Sequence, residues 1–376
     1  MSPEGDPLPI IRPTLPALRE VVELLAPSWA SGVVTTGAVV RAFEEDVERI
    51  TGARHAVAVS SCTAGLMLIP QALGLARGAE VVCPSFTFAA TAQALVWNGL
   101  VPVFCDCVPG TLTLDPDDVA RSVSSRTAAI CAVYTYGLPP DVDALLELGE
   151  RHGLPVYFDS AQGFGAVYRG LLAGAFGACE VFSLSPTKVV SAVEGGVVTT
   201  NDAAVAARLR SMRDYGKDPA RGEDMVYLGL SARMPESSAA VARLSLAQMD
   251  LLIKARLDRI TAYRERLGAL PGCSVQAFPP DRRSSGNYFV LFVSDAARLG
   301  RDAVHERLAR VGVQTKRYFH PPVHLQTVFR RFPMRVSGAL PATVRAASEG
   351  LALPLYSHMT DGDFERVCRE VERLLA

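Results

Sequence analysis

The sequence has no surplus of either charge. Thirty-eight basic against thirty-nine acidic side chains leave a formal net charge of −1, so no bulk field draws in a nucleic acid or an anionic membrane surface. No nucleic acid and no membrane are therefore expected as partners. Uninterrupted apolar runs of bilayer-crossing length are also missing. The opening stretch MSPEGDPLPIIRPTLPAL is acidic and proline-rich where a secretory signal is basic and then apolar, and it reads as an extended arm. The eight cysteines, at positions 62, 83, 105, 107, 131, 179, 273 and 368, lack the CxxC spacing of zinc sites. They lie mostly inside apolar runs, as reduced core thiols do. No metal and a cytoplasmic location are the expectations. Internal repeats and low-complexity tracts are absent as well.

What is present is a large apolar content: 376 residues, 49% hydrophobic and 20% charged, enough for an extensive core in one large unit plus a smaller one. Two helical patterns lie between about 17 and 50, separated by the small, polar ASGVVTTG. From HAVAVSS onward, the apolar runs AEVVCPS, VPVFCD, TAAICAVYTYG, LPVYFDSA, CEVFSLS and GGVVTT alternate with helix-like segments. Strands apolar on both faces, alternating with helices, predict an α/β fold with a mostly parallel sheet covered on both sides. A helical run from about 235 to 268 leads into NYFVLFVS, RDAVHERLARVG and a last helix, DGDFERVCREVERLLA. The expected division is a large α/β domain with its arm at 1–245 and a small C-terminal α+β domain at 246–376.

In open α/β sheets, ligands gather at the carboxyl ends of the strands. Four features follow apolar runs there. Ser60, Ser61, Cys62 and Thr63 pass from a strand into a helix, where free N–H groups suit a phosphate or simply a helix cap. Asp159 closes LPVYFD with Gln162 three residues on, and a carboxylate at the edge of an apolar core needs a partner or serves as a cap. Phe86 and Phe88 follow CPS and are either core or a flat wall for a planar ligand. Lys188 sits in a turn between two strands, followed by small residues and the pair Gly195–Gly196, which are expected to let the backbone pass close to a ligand. The nearby GFGAVYRG lacks the third glycine of a dinucleotide fingerprint. A phosphate cradle, a carboxylate, a flat aromatic and a lysine together match what pyridoxal phosphate requires: a lysine to join its aldehyde as a Schiff base, an acid to keep its ring nitrogen protonated, and N–H groups for its phosphate.

At these residues the chain resembles the DegT/DnrJ/EryC1/StrS aminotransferases, which have the aspartate aminotransferase fold (fold type I). The matching segments run in family order over nearly the whole chain, among them AVAVSSCTAGL, PSFTFAATAQAL, VYFDSAQGFGA, FSLSPTKVVSAVEGGVVTT, RMPESSAAVARLSLAQMD and HPPVHLQ. The resemblance implies that Lys188 is the Schiff-base lysine and Asp159 the partner of the ring nitrogen. It further implies that Gln162 lies near the phenolic oxygen, that Phe88 stacks on the ring, and that Cys62, Thr63 and Ser183 hold the phosphate. Two positions depart from the pattern: Ser185 stands where His is frequent, and Ser231, in SARMPE, stands where relatives carry an Asn that reaches the neighbouring subunit's phosphate. Arg233 is retained. A homodimer with shared sites is implied, with Thr36 in SGVVTTG helping to close the site.

The activity so implied is transfer of an amino group from an amino acid, glutamate or glutamine, to a keto sugar, with pyridoxamine phosphate formed between the two halves. The acceptor is expected to be nucleotide-linked, with Lys316, Arg317 and His320 of TKRYFHPP as cations for its diphosphate, though a solvated turn explains those charges too. A cyclitol ketone is the alternative acceptor. A sugar dehydratase of the same fold would carry His at the lysine position, and a non-catalytic binding protein has no need of Lys188, Asp159 and Gln162 together.

Overall fold

The computed structural model describes residues 7–222 and 224–376. Eight strands form the main sheet, in the order His55–Val59, Gly196–Thr200, Cys179–Ser183, Val156–Asp159, Thr127–Val133, Glu80–Pro84, Val101–Cys105, Arg335–Val336. Gly196–Thr200 runs antiparallel to both its neighbours, and the other adjacent pairs are parallel. The exception has a simple cause. A loop, residues 184–195, joins it to the preceding strand, whereas a parallel return needs a long crossover, usually a helix.

Alternate residues of each strand supply two separate cores, one on each face of the sheet. Ala56, Ala58, Val82, Ile130, Phe158 and Phe182 pack on one side with the helix Ala38–Thr51. Val57, Val59, Val81, Cys131, Tyr157 and Val181 pack on the other with the helix Cys62–Ala72. Burial on both faces is why these strands are continuously apolar rather than alternating. A third core gathers Ile260, Tyr263, Leu291, Val304, Leu353 and Val371 around a small antiparallel sheet of Cys273–Val275, Phe289–Val293 and Gly350–Leu353.

The helical run expected over 235–268 is two helices, Glu236–Leu246 and Met249–Leu267. The second links the cores, with Met249, Leu252 and Ile253 in the large one and Ile260, Tyr263 and Leu267 in the third. The first begins at Glu236, which is fully buried and accepts hydrogen bonds from Gly37 N (2.8 Å), Val39 N (2.9 Å), Val40 N (3.1 Å) and Ser28 Oγ (2.8 Å). Its carboxylate thus satisfies the open end of helix Ala38–Thr51 and fixes the SGVVTTG loop beside it. The arm docks on the third core: Leu8 exchanges backbone bonds with Gly312 and Gln314, and Leu355 N donates to Ile10 O. The chain also returns to the large sheet through Arg335–Val336. Among the described residues, no helix is long and apolar enough to cross a membrane.

Candidate active site

Because the strand His55–Val59 and the five strands from Cys179–Ser183 to Val101–Cys105 all point the same way, the turns that follow them open on one edge of the sheet. A cavity of about 270 Å³ lies there, lined by Ser61, Cys62, Thr63, Phe88, Asp159, Gln162, Ser183 and Lys188 together with Glu194, Tyr288, Lys316 and Tyr318. All four sequence signals therefore meet at one place. A larger cavity of about 390 Å³, between Asp106 and Arg345, holds none of them, so volume alone does not identify the site.

The floor is Asp159, only 4% exposed. Its Oδ2 accepts from Thr91 Oγ1 at 2.6 Å and its Oδ1 from Ala161 N at 3.1 Å. Burial pushes its carboxyl above the usual range, opposed by the Thr91 and Ala161 bonds and by the charge of Lys188. Gln162 anchors the turn by accepting Ser285 Oγ on its carbonyl at 2.5 Å, while its side-chain Oε1 is buried in the cavity wall without a partner. An unsatisfied buried acceptor costs about 1–3 kcal/mol, and a donor arriving with a ligand removes that cost.

Of the two phenylalanines, Phe86 is core, fully buried with edge-to-face contacts to Tyr136 and Phe319. Phe88 is 61% exposed at the mouth, as the N-cap of helix Ala89–Trp97. A large aromatic held out to solvent on a cavity wall is the arrangement a planar ligand would cover.

Ser61 caps helix Cys62–Ala72 by accepting Ala64 N at 3.1 Å, which leaves the first amides of that helix for an anion. The Cys62 thiol faces inward and burial pushes it well up, so its contribution to an anion site is its backbone N–H, whereas Thr63 is exposed. Gly196 serves this corner rather than the lysine: a Cβ there would stand 2.5 Å from Cys62 N and 2.6 Å from Ser61 C. The glycine lets the strand pass against the start of the helix. Ser183 closes the same corner, its Oγ donating to Ser185 Oγ at 3.3 Å.

Lys188 is half-buried in the 184–195 loop, pinned by its own N–H to Ser185 O (3.0 Å) and by Ala192 N to Leu184 O (2.7 Å). Its Nζ lies 5.9 Å from the ring centroid of Tyr288. Burial raises the Tyr288 phenol, but the charge of Lys188, with hydrogen bonds to Thr187 and Tyr318, outweighs it and the phenol is lowered. Tyr318, packed 4.4 Å away between centroids, is pushed up by burial and by Tyr288. Val193 and Phe319, beside and within this wall, hold φ of 67° and 62°, conformations that branched and bulky residues adopt at a cost.

Thr36, Ser231, Arg233, Arg317 and His320 stand outside this cavity. Ser231 is exposed on the segment that pairs with Asp214, and Arg233 makes an ion pair with Asp214 and lies 5.4 Å over the Tyr215 ring. Thr36 turns at φ 50°, its carbonyl accepting Arg41 Nη1 at 3.3 Å. His320 is exposed, and of its neighbours Lys316 reaches the cavity while Arg317 is engaged by Asp302 at 3.0 Å. Residues absent from the sequence reading are Thr91, Glu194, Tyr288 and Tyr318. Thr91 and the tyrosines lie in runs that read as ordinary helix, strand or turn, and the tyrosines come from far along the chain.

The chain is similar to the GDP-perosamine synthase of Caulobacter vibrioides, 31% identical over 361 residues that cover 94% of each protein. Its fold is similar to that of DesI, whose crystal structure was determined in the presence of its TDP-sugar product, with a TM-score of 0.92, 38% identity, and coverage of 99% of this chain and 94% of that one. DesV from S. venezuelae gives a TM-score of 0.88 at 31% identity over 98% of both chains. The DegT/DnrJ/EryC1/StrS aminotransferase family matches residues 18–372, and with nearly its whole length so matched, the protein belongs to that family.

Proposed function

We propose that the protein is a pyridoxal phosphate-dependent aminotransferase that passes an amino group from glutamate or glutamine to a keto sugar carried on a nucleotide. The observation that carries the reading is the meeting of Lys188, Asp159, Phe88, Gln162 and the start of helix Cys62–Ala72 around one cavity. The residues fit the cofactor by their chemistry: a buried acceptor without a partner on Gln162, an uncovered aromatic wall at Phe88, and free helix amides beside Ser183. Bound there, pyridoxal phosphate would supply an electron sink for negative charge developing at the donor's Cα.

The chain's own residues do the rest. The amides at Cys62 and Thr63, with Ser183, hold the phosphate. Phe88 lies against one face of the ring, and Asp159 pairs its charge with the ring nitrogen. Lys188 Nζ takes the proton from the donor's Cα and, in the second half of the reaction, returns a proton to the acceptor carbon that comes to bear the amine. One base thus serves both halves, as ping-pong kinetics require. The GDP and TDP sugars in the names of the relatives support a nucleotide-linked acceptor, and Lys316 at the cavity mouth is the cation available to its diphosphate.

We further propose a homodimer with shared sites. Thr36, Ser231 and Arg233 lie outside their own chain's cavity, and the helix Leu18–Ser31 exposes Leu18 (76%), Trp29 (71%) and Val22 (55%), an apolar face that a second copy would cover. The large and small units of this reading divide near residue 246.

The test of the acceptor is a screen of the enzyme in its pyridoxamine form against nucleotide-linked keto sugars and cyclitol ketones. Return of the yellow absorbance with the former supports the reading; return with cyclitols alone replaces the acceptor, and no amino transfer to or from any amino acid removes the function.

A further inference from the structure

The helix that presents Phe88 also carries a polar residue the reaction has not used. Thr91 is 1% exposed, one turn into Ala89–Trp97, and its Oγ1 donates to Asp159 Oδ2 at 2.6 Å. A buried helical threonine ordinarily bonds back to a carbonyl of the preceding turn. This one instead meets the side chain four residues earlier: Thr87 Oγ1, itself 1% exposed, lies 2.8 Å from Thr91 Oγ1.

The chemistry fixes the direction of this chain. A hydroxyl has one proton to give, and an ionised carboxylate accepts without donating. With Asp159 ionised, Thr91 spends its proton on Oδ2 and must accept from Thr87, so the order is Thr87 to Thr91 to Asp159. Each bond polarises the next, and both hydroxyls are buried. The Ala161 amide engages the other oxygen. Both oxygens are thus held from the protein side while the carboxylate still lines the cavity.

We propose that Thr91, backed by Thr87, is the positioning residue for Asp159: it holds the carboxylate in its ionised form and at one orientation toward the cavity. The proposal rests on the reading of Asp159 as the ring-nitrogen partner. It matters because burial works against that charge and raises the Asp159 carboxyl. The other titratable groups facing Asp159 give little help. Cys62, Cys131 and Tyr157 are raised by burial and therefore neutral, which leaves Lys188 as the facing charge among the described residues. In the proposed reaction Lys188 alternates between a neutral amine, before it takes the Cα proton, and an ammonium after, so a neutral donor that does not change charge gives Asp159 a constant partner on the side away from the ring nitrogen.

The experiment uses the full-length holoenzyme loaded with pyridoxal phosphate labelled with ¹⁵N in the ring, and follows the nitrogen's chemical shift against pH beside steady-state kinetics. In Thr91→Val the ring nitrogen should lose its proton about one pH unit lower than in wild type, the worth of a hydrogen bond to a charged group. The same variant should lose about 10-fold or more in kcat with KM for the donor within twofold. Thr91→Ser, which keeps the hydroxyl, should restore both readouts, and Thr87→Val should move both in the same direction by less. An unchanged ring-nitrogen titration in Thr91→Val, while Asp159→Ala loses the protonated form, overturns the positioning role and leaves the reading of Asp159 standing. A titration unmoved in Asp159→Ala overturns that reading and this proposal together. Should Thr91→Val fail to fold, failure of Thr91→Ser to match wild type, or of Thr87→Val to fall below it, is equally decisive against it.

Discussion

At the floor of the cavity, Asp159 has both oxygens engaged by groups of its own chain. At the rim of the fold, Ser231 and Arg233 are exposed or half-buried and spend their contacts on Asp214 and Tyr215, away from the cavity they were expected to serve. The floor is complete within one chain. The rim has meaning for the site only if a second chain brings it over the first, and the two regions should therefore respond differently to substitution.

The largest effects belong to the floor. Lys188→Ala should reduce amino transfer by at least about 10⁴-fold, because one amine makes both proton transfers, and kinetics on the cofactor-loaded variant check this. Asp159→Ala should retain some cofactor yet lose on the order of a thousandfold in kcat; activity near wild type would reduce Asp159 to a helix-edge cap. Arg233 variants should be inactive for a different reason. Mixed in equal amounts with Lys188→Ala under subunit exchange, they should recover up to about a quarter of wild-type activity through the one composite site intact in each heterodimer. No recovery despite demonstrated exchange would count against shared sites. Ser231→Asn, which lengthens the side chain at that rim, should leave activity unchanged or slow cofactor loss by a small factor.

An effect on stability rather than on turnover lies behind the floor. Glu180 is fully buried beneath the Asp159 turn, accepting Ser160 Oγ (2.8 Å), Gly174 N (2.6 Å) and Phe176 N (2.9 Å), and burial, outweighing these bonds, pushes its carboxyl up to about 7. The folded protein therefore binds more protons here than the unfolded chain between the ordinary glutamate value and about 7, so stability falls as pH rises through that window. Relative to Glu180→Gln, wild type should lose roughly 3 kcal/mol across it, measured by denaturant unfolding at several pH values. A flat difference would show the carboxylate to be fully compensated.

Much of the floor was legible in the sequence because it obeys topology: in a mostly parallel sheet, polar residues closing apolar runs share one edge, which brought Asp159, Lys188, Ser61 and Phe88 together from four segments. Phe86 and Phe88 were not distinguishable by pattern, since which of two aromatics turns inward depends on Tyr136 and Phe319. Tyr288 and Tyr318 carry no local signal, because they gain their place from packing, Tyr288 beside Lys188 and Tyr318 against Tyr288, across a long stretch of chain. Glu236 read as an unremarkable helix start, yet it holds the SGVVTTG loop through bonds to amides some 200 residues away in sequence. The break at Ala247–Gln248 was hidden because both halves are good helix formers.

The claim on which all of this turns is that Lys188 is the group that reacts. Borohydride reduction of the cofactor-loaded protein, followed by digestion and mass mapping of the labelled peptide, tests it most directly. The account predicts a single modified peptide with the label on Lys188 and none in Lys188→Ala; a label on any other lysine, or equal labelling of the Lys188→Ala protein, would contradict it.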